Sequence, residues 1–258
     1  MQTLKIVKIG GNIIDNESML TAFLGDFAQL EGPKLLVHGG GKLATEMAEK
    51  MKVEVNMIEG RRVTDLPTLD IIVMMYAGKI NKQIIASLQA HQCNAVGFTG
   101  ADGNSIVSVK RPKTPINFGF VGDVVNVNPH VIETLMSQGI TPVFCAITHD
   151  QNGQLLNTNA DTIASELATA LAKTYKTELY YCFEKPGVLK DINDESSVIQ
   201  SITSHNVKEL IENKIIADGM LPKIKNSIDA VNHQVSKVCI GNSDMIFKAD
   251  THFTSITL

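Results

Sequence analysis

The chain has 258 residues, of which 44% are hydrophobic and 19% charged, enough apolar material for a real core and too much for wholesale disorder. Lys and Arg total 23 against 27 Asp and Glu, a net charge of -4, which argues against a non-specific nucleic-acid binder that needs basic excess. The four cysteines, Cys93, Cys145, Cys182 and Cys239, lie far apart without a CxxC pair, so neither a metal centre nor a disulfide framework is expected and reduced thiols fit a cytoplasmic protein.

Strand and helix signals alternate along the chain. Leu4 to Ile9 is apolar and β-rich and stops at Gly10-Gly11. Ser18 to Leu30 has helical periodicity and ends at Gly32-Pro33, and Lys34 to His38 is a strand stopped by Gly39, Gly40 and Gly41. Leu43 to Met51 reads as a helix, Val53 to Ile58 and Arg61 to Thr64 as short strands. Asp65-Leu66-Pro67 starts a helix that runs to about His91, followed by a strand over Asn94 to Phe98. Residues 99 to 128, rich in Gly, Pro and Asp, suggest a hairpin-rich excursion. Val131 to Gln138 is a predicted helix, Thr141 to Ile147 a strand, Asn152-Gly153 a turn, Ala160 to Lys173 a helix and Leu179 to Phe183 a strand. Helices over about Ser204 to Asn213 and Met220 to His233, then strands at Lys237 to Ile240 and His252 to Ile256, close the chain. The alternation predicts an α/β fold with a mainly parallel central sheet covered on both faces. With no flexible linker, a boundary is placed near residue 172, dividing 1–172 from 173–258. No run approaches the roughly 18 uncharged apolar residues of a membrane span, and Lys5 and Lys8 inside the first strand argue against a signal peptide.

Five segments could carry chemistry. Lys8-Ile9-Gly10-Gly11 offers an ammonium beside two residues whose amides can approach a phosphate, although a strand end and a turn account for it when taken alone. His38-Gly39-Gly40-Gly41-Lys42 lies between a strand and a helix N-terminus, a natural anion site. It is not a Walker A loop, since Leu36 and Leu43 occupy required Gly and Ser/Thr positions; it does match the weaker dinucleotide pattern through Gly39, Gly41 and Ala44, with Glu59 about twenty residues on. His38 reads as a packed or turn histidine. In Gly60-Arg61-Arg62-Val63-Thr64, two adjacent arginines on a β segment point to opposite sides, so one can meet a carboxylate in a cleft while the other faces solvent, although a solvated charged edge is the commoner setting for such a pair. Asn157-Thr158-Asn159-Ala160-Asp161 clusters polar groups at a strand-to-helix corner, where parallel sheets place ligands and where Asn159 is also a good N-cap. In Asp218-Gly219-Met220-Leu221-Pro222-Lys223, a lysine in an early helical turn opposes the helix dipole, as a binding lysine or a snorkelling surface one.

Together and in this order, H-G-G-G, G-x-R-V-T, N-x-N-A-D and D-G-M-x-x-K, preceded by K-x-G-G, resemble the acetylglutamate kinases of the amino acid kinase family from end to end. The dinucleotide alternative explains none of Lys8, Arg62, Asn157 and Lys223. The resemblance implies an open three-layer αβα sandwich, with 1–172 an acylglutamate-binding and dimerisation lobe and 173–258 a nucleotide lobe. It implies ATP with Mg2+ phosphorylating the γ-carboxylate of an N-acylglutamate such as N-acetyl- or N-succinylglutamate, in arginine biosynthesis. By matching positions, Lys8 and Lys223 look like the lysines that stabilise the transferring phosphoryl group and Asp161 like the residue that orients them. Gly40, Gly41, Arg62 and Asn157 look like the acylglutamate set, and Gly10, Gly11, Glu184, Gly187, Asp218 and Gly219 like nucleotide contacts; no protein metal ligands are assigned. One departure stands at Phe183-Glu184-Lys185-Pro186-Gly187-Val188, where the family has an Asp-Val-x-Gly-Val-type segment: Glu184 keeps the charge and Lys185 is unusual. The chain starts almost at the first strand, without the N-terminal helix of arginine-inhibited hexameric members, so a homodimer without arginine feedback is expected, with small-molecule substrates and no nucleic-acid or membrane partner. Carbamate, aspartate, glutamate or UMP kinase activity, or ATP sensing without catalysis, are the alternatives.

Overall fold

The computed structural model describes residues 1–58, 60–213, 215–216 and 220–258. The first apolar run forms β1 (Thr3–Ile9). Gly10 then opens α1 (Gly11–Ile14), a helix too short to show a period in sequence. In α2 (Glu17–Gln29) the Asn16 side chain accepts from Met19 N–H and caps the first turn. The other end is closed by Lys34, whose Nζ donates to Phe27 O, Ala28 O and Leu30 O at 3.0, 2.7 and 2.8 Å. β2 (Lys34–His38) is buried at every position, and α3 (Gly41–Lys50) follows the glycine loop.

The two short strands predicted next shrink to β3 (Met57–Ile58) and β4 (Arg61–Arg62), a two-residue ladder. Asp65 caps α4 (Leu66–Val73) by accepting from Thr68 N–H at 2.9 Å. The single predicted helix to His91 holds a π turn at Met74–Ile80 before α5 (Asn81–Ala90). β5 (Ala95–Phe98) follows, and the excursion at 99–128 contains the hairpin β6 (Ile106–Lys110) and β7 (Gly122–Val127). After α6 (His130–Ser137), the strand predicted over Thr141 to Ile147 is two strands, β8 (Thr141–Cys145) and β9 (Ile147–His149), which enter different sheets. The run is buried almost throughout, so no in–out alternation marks the bend.

β10 (Leu155–Asn157) leads into α7 (Ala160–Leu171) and β11 (Lys176–Cys182). β12 (Ser201–Thr203), α8 (Val207–Glu212), α9 (Met220–Asn232), β13 (Lys237–Gly241), α10 (Asp244–Phe247) and β14 (Thr254–Thr257) complete the chain. The main sheet runs β12-β14-β13-β11-β1-β2-β8-β5, and only its β13–β14 ladder is antiparallel. Full burial of β2 and β8 at consecutive positions means that both faces are covered. A second sheet, β10-β9-β6-β7, stands beside it. No helix among the described residues is long and apolar enough to cross a membrane.

The register levels the strand ends that matter. Ile9 pairs with His38 and with Cys182, His38 with Cys145, and Cys182 with Gly241. The loops after β1, β2, β8, β11 and β13 therefore leave one edge of the sheet side by side, at the carboxyl ends where open α/β sheets bind ligands.

Candidate active site

Three charges from distant parts of the chain meet at that edge. Asp161, in the first turn of α7, has its Oδ1 2.8 Å from Lys8 Nζ of β1 and its Oδ2 2.6 Å from Lys223 Nζ of α9. The Lys223 contact is an aligned hydrogen bond, whereas Lys8 is held by charge and proximity without that alignment. Burial alone would raise the Asp161 carboxyl, but the Lys8 and Lys223 ammonium groups outweigh it and hold it well below the usual carboxylate range. Burial pushes Lys223 below an ordinary lysine, and Asp161 only partly restores it. Tyr181 supports both partners: its hydroxyl donates to Asp161 O at 3.0 Å and its ring centroid lies 4.7 Å from Lys223 Nζ. Asn159 accepts from Asp161 N–H and Thr162 N–H at 2.8 and 3.1 Å, so the capping role read from sequence also fixes Asp161.

A cavity of about 450 Å³ opens on one side of this triad, with Gly39–Gly41, Arg62, Tyr76, Asn157, Asp161 and Lys223 among its walls. Gly40 needs its glycine: at φ +144, a Cβ would fall 2.3 Å from Ile80 Cδ1. Arg62 Nη2 donates to Gly41 O at 2.9 Å and to Thr45 Oγ1 at 2.8 Å, tying the arginine to the start of α3. Asn157 Nδ2 donates to Thr64 Oγ1 at 3.0 Å, and Thr64 is braced by Phe118 and Phe120 through backbone hydrogen bonds. Arg61 and Arg62 both border this cavity, although Arg61 is exposed, so the expected division between cleft and solvent is incomplete. A two-residue strand at a cavity rim leaves both guanidinium groups within reach of it.

A second cavity, about 350 Å³, lies between the ends of β1 and β11, lined by Gly10, Gly11, Asn12, Ile13, Cys182, Phe183 and Glu184. Lys8 stands close to a wall residue of each: its Nζ is 3.7 Å from where a Cβ on Gly10 would stand and 2.8 Å from Asp161. Gly187 borders neither cavity and is hemmed in by Val198 and Thr254. The unusual Lys185 forms an exposed ion pair with Glu195 at 2.9 Å. Asp218, Gly219 and the Glu59 of the dinucleotide pattern lie outside the described residues. All four cysteines are buried and unbridged, and burial pushes the thiols of Cys145, Cys182 and Cys239 up to about 12.

The profile of the amino acid kinase family matches residues 3–242. The chain belongs to this family. Among its relatives, the acetylglutamate kinase of Cytophaga hutchinsonii is 53% identical over 95% of this chain and 94% of its own length. That of Phocaeicola vulgatus is 51% identical over 93% of each. A crystal structure from Streptococcus mutans superposes with a TM-score of 0.79 at 27% identity, covering 98% of both chains. The fold of this amino acid kinase is thus the mostly parallel α/β sandwich read from its sequence.

Sequence reasoning passed over Tyr76, Arg111, Tyr181 and Asn226. Asn226 follows Lys223 by three residues on α9, a spacing that puts both on one helix face and could have been used. Tyr76 and Tyr181 read as core, and both are buried. Arg111 is held by Asp123, its Nε donating to the two carboxylate oxygens at 3.0 and 3.2 Å, a contact that no local pattern announces.

Proposed function

We propose that this amino acid kinase transfers the γ-phosphoryl group of ATP to the γ-carboxylate of N-acetyl-L-glutamate, or of another N-acylglutamate such as N-succinylglutamate, forming an acyl phosphate for arginine biosynthesis. The observation that carries the proposal is the Lys8–Asp161–Lys223 triad standing between two cavities. The 51–53% identity to two acetylglutamate kinases supports the choice of acceptor.

The larger cavity takes the acylglutamate. Arg62, already anchored through Nη2, presents a guanidinium to its α-carboxylate. Asn157 supplies an amide to the acceptor, and Gly40 and Gly41 line the wall with backbone N–H groups at the uncapped start of α3. The smaller cavity takes the phosphate end of ATP along Gly10 and Gly11. Residues 173–258 provide the rest of the nucleotide site, with Glu184 at its rim and Gly187 shaping the turn, and the family resemblance adds Asp218 and Gly219 to the nucleotide contacts.

A γ-carboxylate oxygen attacks the γ-phosphorus as the bond to the β,γ-bridging oxygen breaks, and ADP leaves with that electron pair. The acceptor is already ionised near neutral pH, so no general base is needed. Charge accumulates on the equatorial phosphoryl oxygens, where Lys8 and Lys223 neutralise it. Asp161 keeps both ammonium groups charged and aimed.

Mg2+ fits as an ion carried by the nucleotide. Both oxygens of Asp161 are engaged by lysines, and among the described residues no three His, Cys, Asp or Glu side chains converge as ligands. When bound, it neutralises phosphate charge. A cytoplasmic homodimer with small-molecule substrates completes the proposal; the buried, unbridged thiols suit a reducing compartment, and the net charge of -4 suits a small-molecule enzyme better than a nucleic-acid binder.

The test is formation of acyl phosphate, trapped with hydroxylamine as a hydroxamate, from Mg-ATP with N-acetylglutamate and N-succinylglutamate side by side. Product from either supports the assignment and their ratio fixes the acyl group. Product from neither, with turnover of carbamate, aspartate, glutamate or UMP, would replace it.

A further inference from the structure

The glycine loop rests on a buried polar chain to which the transfer chemistry above gives no part. His38 ends β2 and is fully buried. Its Nδ1 lies 2.9 Å from Gly39 O and its Nε2 3.1 Å from Asn81 Nδ2. Asn81 Nδ2 also donates to Val143 O at 3.0 Å, and Asn81 Oδ1 accepts from Lys82 Nζ at 3.0 Å.

These partners leave one arrangement of protons. A carbonyl can only accept and an ammonium can only donate, so the Asn81 amide has a fixed orientation. Nε2 of His38 must then accept from Asn81, and Nδ1 must carry the hydrogen that goes to Gly39 O. Burial pushes the imidazole down to about 4, against the Gly39 bond that raises it, so the ring is neutral near physiological pH.

The surroundings are built for this chain of groups. A Cβ on Gly97 would fall 1.7 Å from Asn81 Oδ1, so only glycine leaves room for the amide. Asn81 N–H is shared between Gly78 O and Tyr76 O, the latter five residues back as in a π turn, and the Asn81 side chain is buried. The same turn sets Ile80 and Tyr76 against Gly40. One irregular segment thus fixes both sides of the Gly39–Gly40 peptide.

Resting on the kinase assignment above, we propose that His38 is a positioning residue: by holding the Gly39 carbonyl toward the core, it aims the Gly40 N–H into the larger cavity, at the γ-carboxylate end of the acceptor where phosphoryl charge develops in transfer. The peptide is trans, so its N–H points opposite to its C=O. An aimed donor that costs no reorganisation acts on the transition state rather than on either bound substrate.

The experiment compares His38→Leu, which removes the donor, with His38→Asn, whose amide nitrogen can stand near the position of Nδ1 and donate to Gly39 O. His38→Leu should lower kcat about 10- to 100-fold, less than complete loss of an oxyanion donor, with both KM values within about threefold. His38→Asn should recover most of that loss even though it melts no higher than His38→Leu. Equal losses of kcat in the two variants, or an unchanged kcat in His38→Leu, would overturn the inference and leave His38 a packing residue. Long-range 15N–1H correlation spectra of the wild-type chain give a readout independent of turnover and of variant folding. They should show a protonated Nδ1 and a bare Nε2, with the Gly40 amide resonance displaced in His38→Leu. An Nε2–H tautomer would overturn the positioning role. Failure of the wild type to form acyl phosphate would instead overturn the kinase assignment, while the tautomer and the Gly40 resonance still decide whether His38 sets the peptide.

Discussion

Gly40 and Gly41 are adjacent and face opposite demands. A methyl group on Gly40 would meet Ile80 Cδ1 at 2.3 Å from a left-handed backbone, whereas one on Gly41 would find its nearest neighbours, Tyr76 Oη and Arg62 Nη2, at 3.9 and 4.0 Å. Gly40→Ala should therefore lose at least about 1–3 kcal/mol of stability through backbone strain, with the steric clash added to it. Gly41→Ala should melt like the wild type while raising KM for the acceptor. Denaturant melts of the two variants check the contrast, and equal stability would show that the loop relaxes freely. Lys223 carries a second expectation. Burial lowers its pKa, and the neutral amine cannot neutralise phosphoryl charge, so kcat should fall on the alkaline side at a pH below the ordinary lysine value of about 10.4. Lys223→Arg should move that limb upward while lowering the plateau; a limb that stays in place assigns it elsewhere. Lys8, Asp161, Arg62, Asn157 and Lys223 were singled out because their motifs, in order, resemble those of the family; residue types alone left a turn, a charged edge, a helix cap or a surface lysine open. Tyr181 was not, since a phenol inside an apolar strand gives no sign that its hydroxyl will reach the carbonyl of Asp161.

At the scale of elements, α2 depends on a residue outside it. Lys34, at the start of β2, satisfies three carbonyls at the end of α2 and is 8% exposed. Lys34→Met keeps much of the apolar stem and removes all three bonds, which should cost about 2–3 kcal/mol since bonds to a charged donor are worth more than neutral ones. The residue stands at the opposite end of β2 from His38, so kcat should not change. Urea titration together with steady-state kinetics separates the two effects, and an unaltered midpoint would mean that water replaces the ammonium without loss. Elements with a clear period, such as α7, or with a sharp glycine stop, such as β2, were readable to within a few residues. The β8–β9 break and the π turn at Met74–Ile80 were not. The first lies in a run buried on both faces, and the second inserts one residue into a helix whose apolar pattern continues across it.

On the scale of the molecule, one sheet carries both halves. The boundary near residue 172 falls between α7 and β11, and β11 returns to pair with β1 over its whole length. Strand order was beyond the sequence, because pairing of β1 with β11 is decided by tertiary packing and not by local pattern. The pairing brings Lys8 to the level where Glu184 and the glycine loops emerge, and α9 then supplies Lys223 from the second half. Asp161 and Lys223 line the larger cavity, and Lys8, bound to Asp161, stands beside Gly10 at the smaller one. The most direct test measures kcat and the ATP dissociation constant for the wild type, Lys8→Ala and Lys223→Ala. Each substitution should lower kcat about 10²- to 10³-fold, as for loss of one transition-state donor, with ATP binding weakened far less. Turnover left intact in either variant, or a fall in ATP affinity that accounts for the whole loss, would contradict a lysine pair acting on the phosphoryl group in flight.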